Sequence, residues 1–489
     1  MKKKIIIKLF WIILSILISL TAYLIFDFGN EYKNAEIVAS IAILMSILWV
    51  TEAIPLSVTS LIPLILFPLT GTISSKDTSQ AYINSTIFLF LGGFIIAIAM
   101  ERWQLHKRIA LNVINLVGNT SSKIIFGFMI SSAFISMWIS NTATAVMLLP
   151  IGLAIINKLS EELREENISR FAIALMLGIA YSCSVGGIAT PIGTPPNLVF
   201  QRIYKINFPN NPEIYFGDWM KFAVPIAIVM ILFVWFLLTK ILYKNDSLVI
   251  NDIVVKNEKN KLGKINYEEK VVLFVFIITS LLWIFRAELD LGVMKIPGWS
   301  KIFPKADFID DGTVAIAMAS VLFMIPVKNK NSNYNFILDH TAINKIPWDI
   351  ILLFGGGFAL AEGFVDSKLS NLIGHQFVML KNVNVVLLIA SVCFVLTFLT
   401  ELTSNTATAQ ILLPILASLS VELQINPLLL MIPATISSSF AFMLPVATPP
   451  NAIVFSSRRL KIIDMAKTGF LINLFGIIVV TFFVWLFFA

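Results

Sequence analysis

The sequence predicts an all-α polytopic membrane protein, with eleven transmembrane helices and two re-entrant hairpins set in two repeats of inverted topology. Three observations lead there. Of 489 residues, 57% are hydrophobic and 13% charged, with a mean hydropathy of +0.87; a soluble domain carries about twice that share of charge. Apolar stretches of bilayer-spanning length recur along the chain. Three phrases also occur twice in one order. Ser140-Asn141-Thr142-Ala143-Thr144-Ala145 returns 264 residues later as Ser404-Asn405-Thr406-Ala407-Thr408-Ala409, and Gly92-Gly93-Phe94 returns at that spacing as Gly356-Gly357-Phe358. The phrase from Pro191 to Asn197, ending Thr-Pro-Pro-Asn, returns 254 residues later from Pro445 to Asn451.

Taken in order, Met1-Lys2-Lys3-Lys4 precedes an apolar stretch too long for a signal peptide and without a small-residue cleavage site. It reads as an uncleaved first helix within an N-terminal unit, 1–35. The spans expected on a ruler of about 20 residues are 5–27, 36–51, 54–70, 83–101, 170–200, 218–243, 268–286, 312–327, 347–365, 427–455 and 466–488. The first repeat covers 36–243 and the second 271–489, joined by a polar, Pro-free stretch, 244–270, that reads as a solvated linker. Segments 122–158 and 384–421 hold the Ser-Asn-Thr phrases and are too polar at their centres for ordinary spans. Each reads as two short apolar arms around a polar tip, tolerated at membrane depth only where protein buries it or it lines a wet cavity.

Basic residues set the expected orientation. Lys2 to Lys4, the six lysines of 244–270 and Arg458-Arg459-Lys461 belong on the cytoplasmic side. The N-terminus is then cytoplasmic and Ala489 outside, the first hairpin opening from the cytoplasm and the second from outside. Inverted repeats of this kind build transport sites near the midplane. The net charge of +7 fits basic cytoplasmic loops rather than a nucleic-acid partner.

The doubled phrases supply two kinds of group. Asn, Ser and Thr side-chain oxygens and freed backbone carbonyls are hard ligands for Na+, while Asn NH2, Thr hydroxyl and backbone N–H groups suit a carboxylate. Ser136 and Thr400 each precede a tip by four residues and face the same way. Three prolines in each longer phrase, Pro191 to Asn197 and Pro445 to Asn451, must break the helix, freeing carbonyls such as those of Gly193 and Ala447. A half-helix starting at Pro195 or Pro449 then aims its positive dipole end at the break. Two cation sites flanking one anion with two negative ends match a dicarboxylate. The blander reading, small and hydroxyl residues merely letting helices pack, suits Gly92-Gly93 and Gly355-Gly356-Gly357 better than the matched tips and breaks.

Glu52 and Glu401 are the deepest acids, with Glu401 placed to draw in a cation or titrate and Glu52 to order a helix break before Pro55. Cys183 and Cys393 lie in apolar segments as structural thiols, and no motif calls for an organic cofactor or a metal cluster.

These residues resemble the divalent anion/sodium symporter family, carriers of succinate, malate, fumarate and citrate, from about Thr51 to Phe455. The resemblance implies a homodimer in which a scaffold domain supports a transport domain moving as an elevator. Spans 54–70 and 312–327 would belong to the scaffold and dimer interface, and 102–108 and 368–381 to arm helices. It implies a first Na+ site from Ser136, Ser140, Asn141 and Gly193, and a second from Thr400, Ser404, Asn405 and Ala447. Substrate carboxylates would meet Asn141 and Thr142 on one side and Asn405 and Thr406 on the other, with Thr194, Thr448 and Pro449 closing the pocket. The copies differ, with Ser136 facing Thr400, Gly193 facing Ala447 and Met137 facing Glu401.

The expected function is Na+-coupled import of C4-dicarboxylates across a bacterial inner membrane, with two or more Na+ sites. A Na+-independent dicarboxylate exchanger is the alternative. A membrane-embedded enzyme would need a nucleophile, base or metal cluster, and His106, His340 and His375 lie far from the doubled phrases.

Overall fold

A computed structural model describes residues 2–118, 120–160, 165–244, 253–290, 294–328 and 334–489. The chain is a polytopic all-α membrane protein. Among the described residues, nine helices are long and apolar enough to cross a membrane, and the one sheet is a two-residue pairing of Leu289–Asp290 with Lys295–Ile296. The first helix, Lys2–Ile25, sits at the periphery, only 6% of its apolar window being covered by protein; residues 168–187 lie at the centre, 83% buried. Such exposure of Ile, Leu and Phe is stable only against lipid or another apolar surface.

Local chemistry sets the element ends. Asn84 accepts from the backbone N–H of Thr86 at 3.1 Å to start Ser85–Arg102, and Asp310 from Thr313 at 2.7 Å to start Asp311–Met324. These two helices pack closely, a Cβ on Gly92 meeting Ala315 at 2.5 Å. The 54–70 span is two short helices, Leu56–Thr59 and Ile62–Thr70, the second stopped by Gly71 at φ 73°.

The doubled phrases fold alike. The first hairpin joins Ser121–Ser136 to Asn141–Ser160, and the second joins Val385–Leu399 to Asn405–Leu423. Their arms are unequal rather than both short, each returning arm being long enough to cross a membrane. The first broken helix runs Glu165–Gly187, opens over 188–194 and resumes as Pro195–Asn207. The second runs Leu428–Ser437, opens over 438–448 and resumes as Pro449–Phe455. Proline at the first helical position restarts each helix because its missing N–H has no partner there in any case.

The 244–270 linker differs from expectation. Residues 245–252 lie outside the described residues, but Ile253–Lys261 is a helix docked on Leu105–Val117. Lys107 pairs with Glu258 at 2.9 Å. Buried Arg108 reaches the carbonyls of Gly263 and Leu262 and both oxygens of Glu269. Charge complementarity thus turns this part of a polar linker into a strap.

Hydrogen bonds from Lys261 and Lys107 hold the Glu258 carboxyl below its ordinary range. A carboxyl lowered in the folded state stabilises above its unfolded value and loses that stabilisation as pH falls through the folded one. Hydrogen exchange over 253–261 should therefore accelerate on acidification below the carboxylate range before the transmembrane helices respond.

The triple glycine of Trp348–Asp366 is a packing feature, as its position between elements requires. Cβ atoms on Gly355, Gly356 and Gly357 would meet Tyr82, Ser60 and Gln410, the last at 2.4 Å, whereas one on Gly93 would meet Ile192 at 3.5 Å. Gly357→Ala should cost about 1–3 kcal/mol of stability and lower the thermal midpoint in detergent, while Gly93→Ala should leave it unchanged.

Candidate functional site

Both hairpin tips and both helix breaks meet at one cavity of about 880 Å³. Its lining includes Ser140, Asn141, Thr142, Gly193, Thr194, Ser404, Asn405, Thr406, Ala447, Thr448 and Pro449. Ser136 and Thr400 do not reach the cavity. Each is the hydroxyl directly behind a tip, fully buried, with Ser136 Oγ donating to Asn141 Oδ1 and Thr400 Oγ1 lying 2.7 Å from Asn405 Oδ1. Phe94 of a doubled phrase lines the cavity too, and Phe90, Trp138 and Leu353 add apolar wall that the doubled phrases do not contain.

The chemistry on offer follows from how the segments begin. Four helical segments start at the cavity, at Asn141, Asn405, Pro195 and Pro449, and their first residues line it. The two hairpin returns offer first-turn N–H groups and all four segments offer a dipole end, both of which favour an anion; Pro195, Pro196, Pro449 and Pro450 have no N–H to give. Among the described residues lining the cavity there is no Lys, Arg or His, but there are three acids, Glu52, Asp349 and Glu401. Held anions would therefore meet amides, hydroxyls and helix ends, with no fixed positive side chain.

Oxygen clusters sit behind each tip. Thr400 Oγ1 is 2.7 Å from both Asn405 Oδ1 and the Ser438 carbonyl. A hydroxyl has one hydrogen and can donate to only one of them, so three oxygens converge on too few protons. That donor set suits a hard cation. In the first copy, Asn141 lies against Gly187, whose Cβ would come within 2.8 Å of Asn141 Oδ1 and 3.2 Å of the Gly193 carbonyl. Only glycine permits that approach, a requirement absent from the second copy, where Ala441 and Ala447 stand in the corresponding places.

The two acids are held in different ways. Glu401 is a buried clamp whose oxygens accept backbone N–H bonds from Phe442 at 2.7 Å, Met443 at 2.9 Å and Leu444 at 3.1 Å. Asn473 Nδ2 adds a fourth at 2.8 Å. It is Glu401 that orders a helix break. Glu52 is exposed at the cavity, in the left-handed conformation (φ 47°) that ends helix Lys33–Thr51. The first copy, with Met137 in place of Glu401, uses other means: Thr190 Oγ1 donates to the Met137 carbonyl and Trp219 Nε1 to Ile188 O at 2.9 Å. Trp219 and Asn473 stand 254 residues apart, the spacing of the breaks they brace, but their unlike chemistry hides the correspondence in sequence.

Comparison with known proteins places this arrangement. A family profile described as "Sodium:sulfate symporter transmembrane region" matches residues 6–489. The chain is 42% identical over 479 residues to the sodium-dependent dicarboxylate transporter SdcS of Staphylococcus saprophyticus, covering 97% of this chain and 90% of that one. It is 41% identical over 480 residues to SdcS of Staphylococcus aureus, with the same coverage. Among solved structures, Neisseria gonorrhoeae MtrF, from a class described as antimetabolite efflux pumps, superposes with a TM-score of 0.58 at 12% identity, covering 93% of this chain and 95% of its own. The Alcanivorax borkumensis YdaH transporter gives 0.57 at 12% identity, covering 86% and 88%. At that identity the likeness is one of fold alone.

Asn141→Ala and Asn405→Ala each remove an amide that faces the cavity and an oxygen bonded to the hydroxyl behind it. Each should abolish uptake in reconstituted vesicles while leaving the elution volume and thermal midpoint close to wild type.

Proposed function

The chain belongs to the sodium:sulfate symporter transmembrane family, and on that premise we propose that it imports C4-dicarboxylates such as succinate, malate and fumarate by Na+ symport. The observation that carries this reading is the charge of the cavity. A dianion entering a site with three acids and no basic side chain among its described lining residues needs mobile cations. One cation about 4 Å from a carboxylate is worth on the order of 4 kcal/mol at an effective dielectric near 20. Two such ions, one behind each tip, offset the dianion. Sodium fits the donors present, since hydroxyl, amide and backbone carbonyl oxygens are hard ligands.

The first ion is assigned to Ser136, Ser140, Asn141 and Gly193, and the second to Thr400, Ser404, Asn405 and Ala447, with the Ser438 carbonyl added by its contact with Thr400. Between them the substrate carboxylates meet Asn141 and Thr142, and Asn405 and Thr406, with Thr194, Thr448 and Pro449 around them. Na+ binding orders the tips and neutralises the site, so the dianion binds well only afterwards.

Under the orientation drawn from basic residues, the cavity's Glu52 and Asp349 lie toward the cytoplasmic end. Asp349, at the cavity, starts the helix that follows His340–Lys345, and Arg102 pairs with Asp339 at 3.0 Å beside that segment. Toward the opposite end, Arg202 of Pro195–Asn207 pairs with Glu362 of Trp348–Asp366 at 2.8 Å. In elevator-type exchange between the two faces the hairpins and broken helices move against a scaffold that includes Trp348–Asp366, and this ion pair must part. The inverted repeats, the homodimer and placement in a bacterial inner membrane belong to the same reading.

Labelled succinate uptake into proteoliposomes tests it. Uptake into empty vesicles should require an inward Na+ gradient. Uptake only into vesicles preloaded with dicarboxylate, indifferent to Na+, would make the protein an exchanger and withdraw the cation sites.

A further inference from the structure

Each doubled Thr-Pro-Pro-Asn phrase ends in an asparagine that neither lines the cavity nor touches a tip, yet both are fully buried. Asn197 Nδ2 lies 2.7 Å from Thr190 O, 3.2 Å from Gly187 O and 3.4 Å from Ile188 O. Asn451 Nδ2 lies 3.0 Å from both Ala441 O and Leu444 O. Gly187 and Ala441 correspond in the duplication, as do Thr190 and Leu444. Both asparagines therefore reach back across their break to the same two carbonyls. The amide orientation is dictated by these partners, since only the NH2 group can face two or three carbonyl oxygens.

We propose that Asn197 and Asn451 are positioning residues for the two cation sites, holding each opened backbone so that its free carbonyls stay at ligand distance. The proposal rests on the Na+-symport reading and deepens it. Gly193 lies between the residues that Asn197 ties together, Thr190 and Asn197 itself; Ala447 lies likewise between Leu444 and Asn451. Glu401 and Trp219 brace the breaks from other elements and Thr190 ties the first to its hairpin, whereas the two asparagines tie each opened segment directly to the half-helix that follows it. A free, buried carbonyl costs about 1–3 kcal/mol when unpaired, so the untied loop would turn its carbonyls elsewhere.

The other side of each amide is also alike in the two copies. The Oδ1 atoms of Asn197 and Asn451 are both buried without a hydrogen-bond partner.

The test uses full-length protein, with Na+ titrated at constant ionic strength against choline. Two readouts are followed: Na+-induced rise of the thermal midpoint in detergent, and succinate uptake in proteoliposomes. Asn197→Ala and Asn451→Ala should each raise the half-saturating Na+ concentration at least fivefold by both readouts, while the succinate KM at saturating Na+ stays within twofold of wild type. Asn→Ser at either position keeps one donor hydrogen and should give an intermediate shift; it is the variant to read if alanine prevents folding. Half-saturating Na+ within twofold of wild type in all variants, or a fall in maximal rate alone, would overturn the positioning role. A wild type indifferent to Na+ would overturn the symport reading and this proposal together, whereas a Na+-dependent wild type with unshifted variants overturns only the proposal.

Discussion

The constraint on which the structure depends is the hydrogen bonding of backbone that leaves the helix inside the protein. Where prolines open the chain at 188–194 and 438–448, peptide groups lose their i to i−4 partners at a depth where water is scarce. Side chains supply the replacements: Asn197 and Asn451 for carbonyls, Glu401 for three successive N–H groups, and Thr190 to tie the first break to its hairpin. Because these bonds are made by a few fixed groups, the carbonyls that remain free do so in defined places. A cavity with useful oxygens is the by-product of satisfying everything else.

The two copies solve this problem with different chemistry. In the second, a carboxylate from the hairpin holds the break; in the first, a hydroxyl from the break holds the hairpin. The consequence is electrostatic as well as steric. A carboxylate buried beside Thr400 adds negative charge near one oxygen cluster and not the other, and the Gly187–Asn141 approach makes the first cluster tighter than one bordered by Ala441 and Ala447. Two sites descended from one sequence therefore differ in field and in size, which is why equal behaviour toward cations is not a consequence of the duplication.

Much of the fold was legible in the chain because its signals are local. Apolar runs mark the spans, and prolines mark where the half-helices restart, at Pro195 and Pro449, although the preceding helices stop earlier, at Gly187 and Ser437. The strap at 253–261 was not legible: a run such as Val255-Lys256-Asn257-Glu258 is polar, and its docking depends on Lys107, Arg108 and Glu269, which only the packed chain brings near. The role of Glu401 as a backbone clamp has the same origin. An acid before a proline and an acid beside a tip look alike in sequence; the N–H groups of 442–444 that claim Glu401 come from another element.

The sequence by itself determined the architecture and the composition of the site, since duplicated phrases name the tips, the breaks and the oxygens they offer. Tertiary structure decided which of those groups face the cavity and which stand behind it. Ser136 and Thr400 turned inward to the asparagines, Asn197 and Asn451 turned back to the breaks, and aromatic walls arrived from Phe90, Phe94 and Trp138. The physical reason is that a residue's type fixes what it can bond, while its partner, once the chain packs, is set by whichever unsatisfied group lies closest.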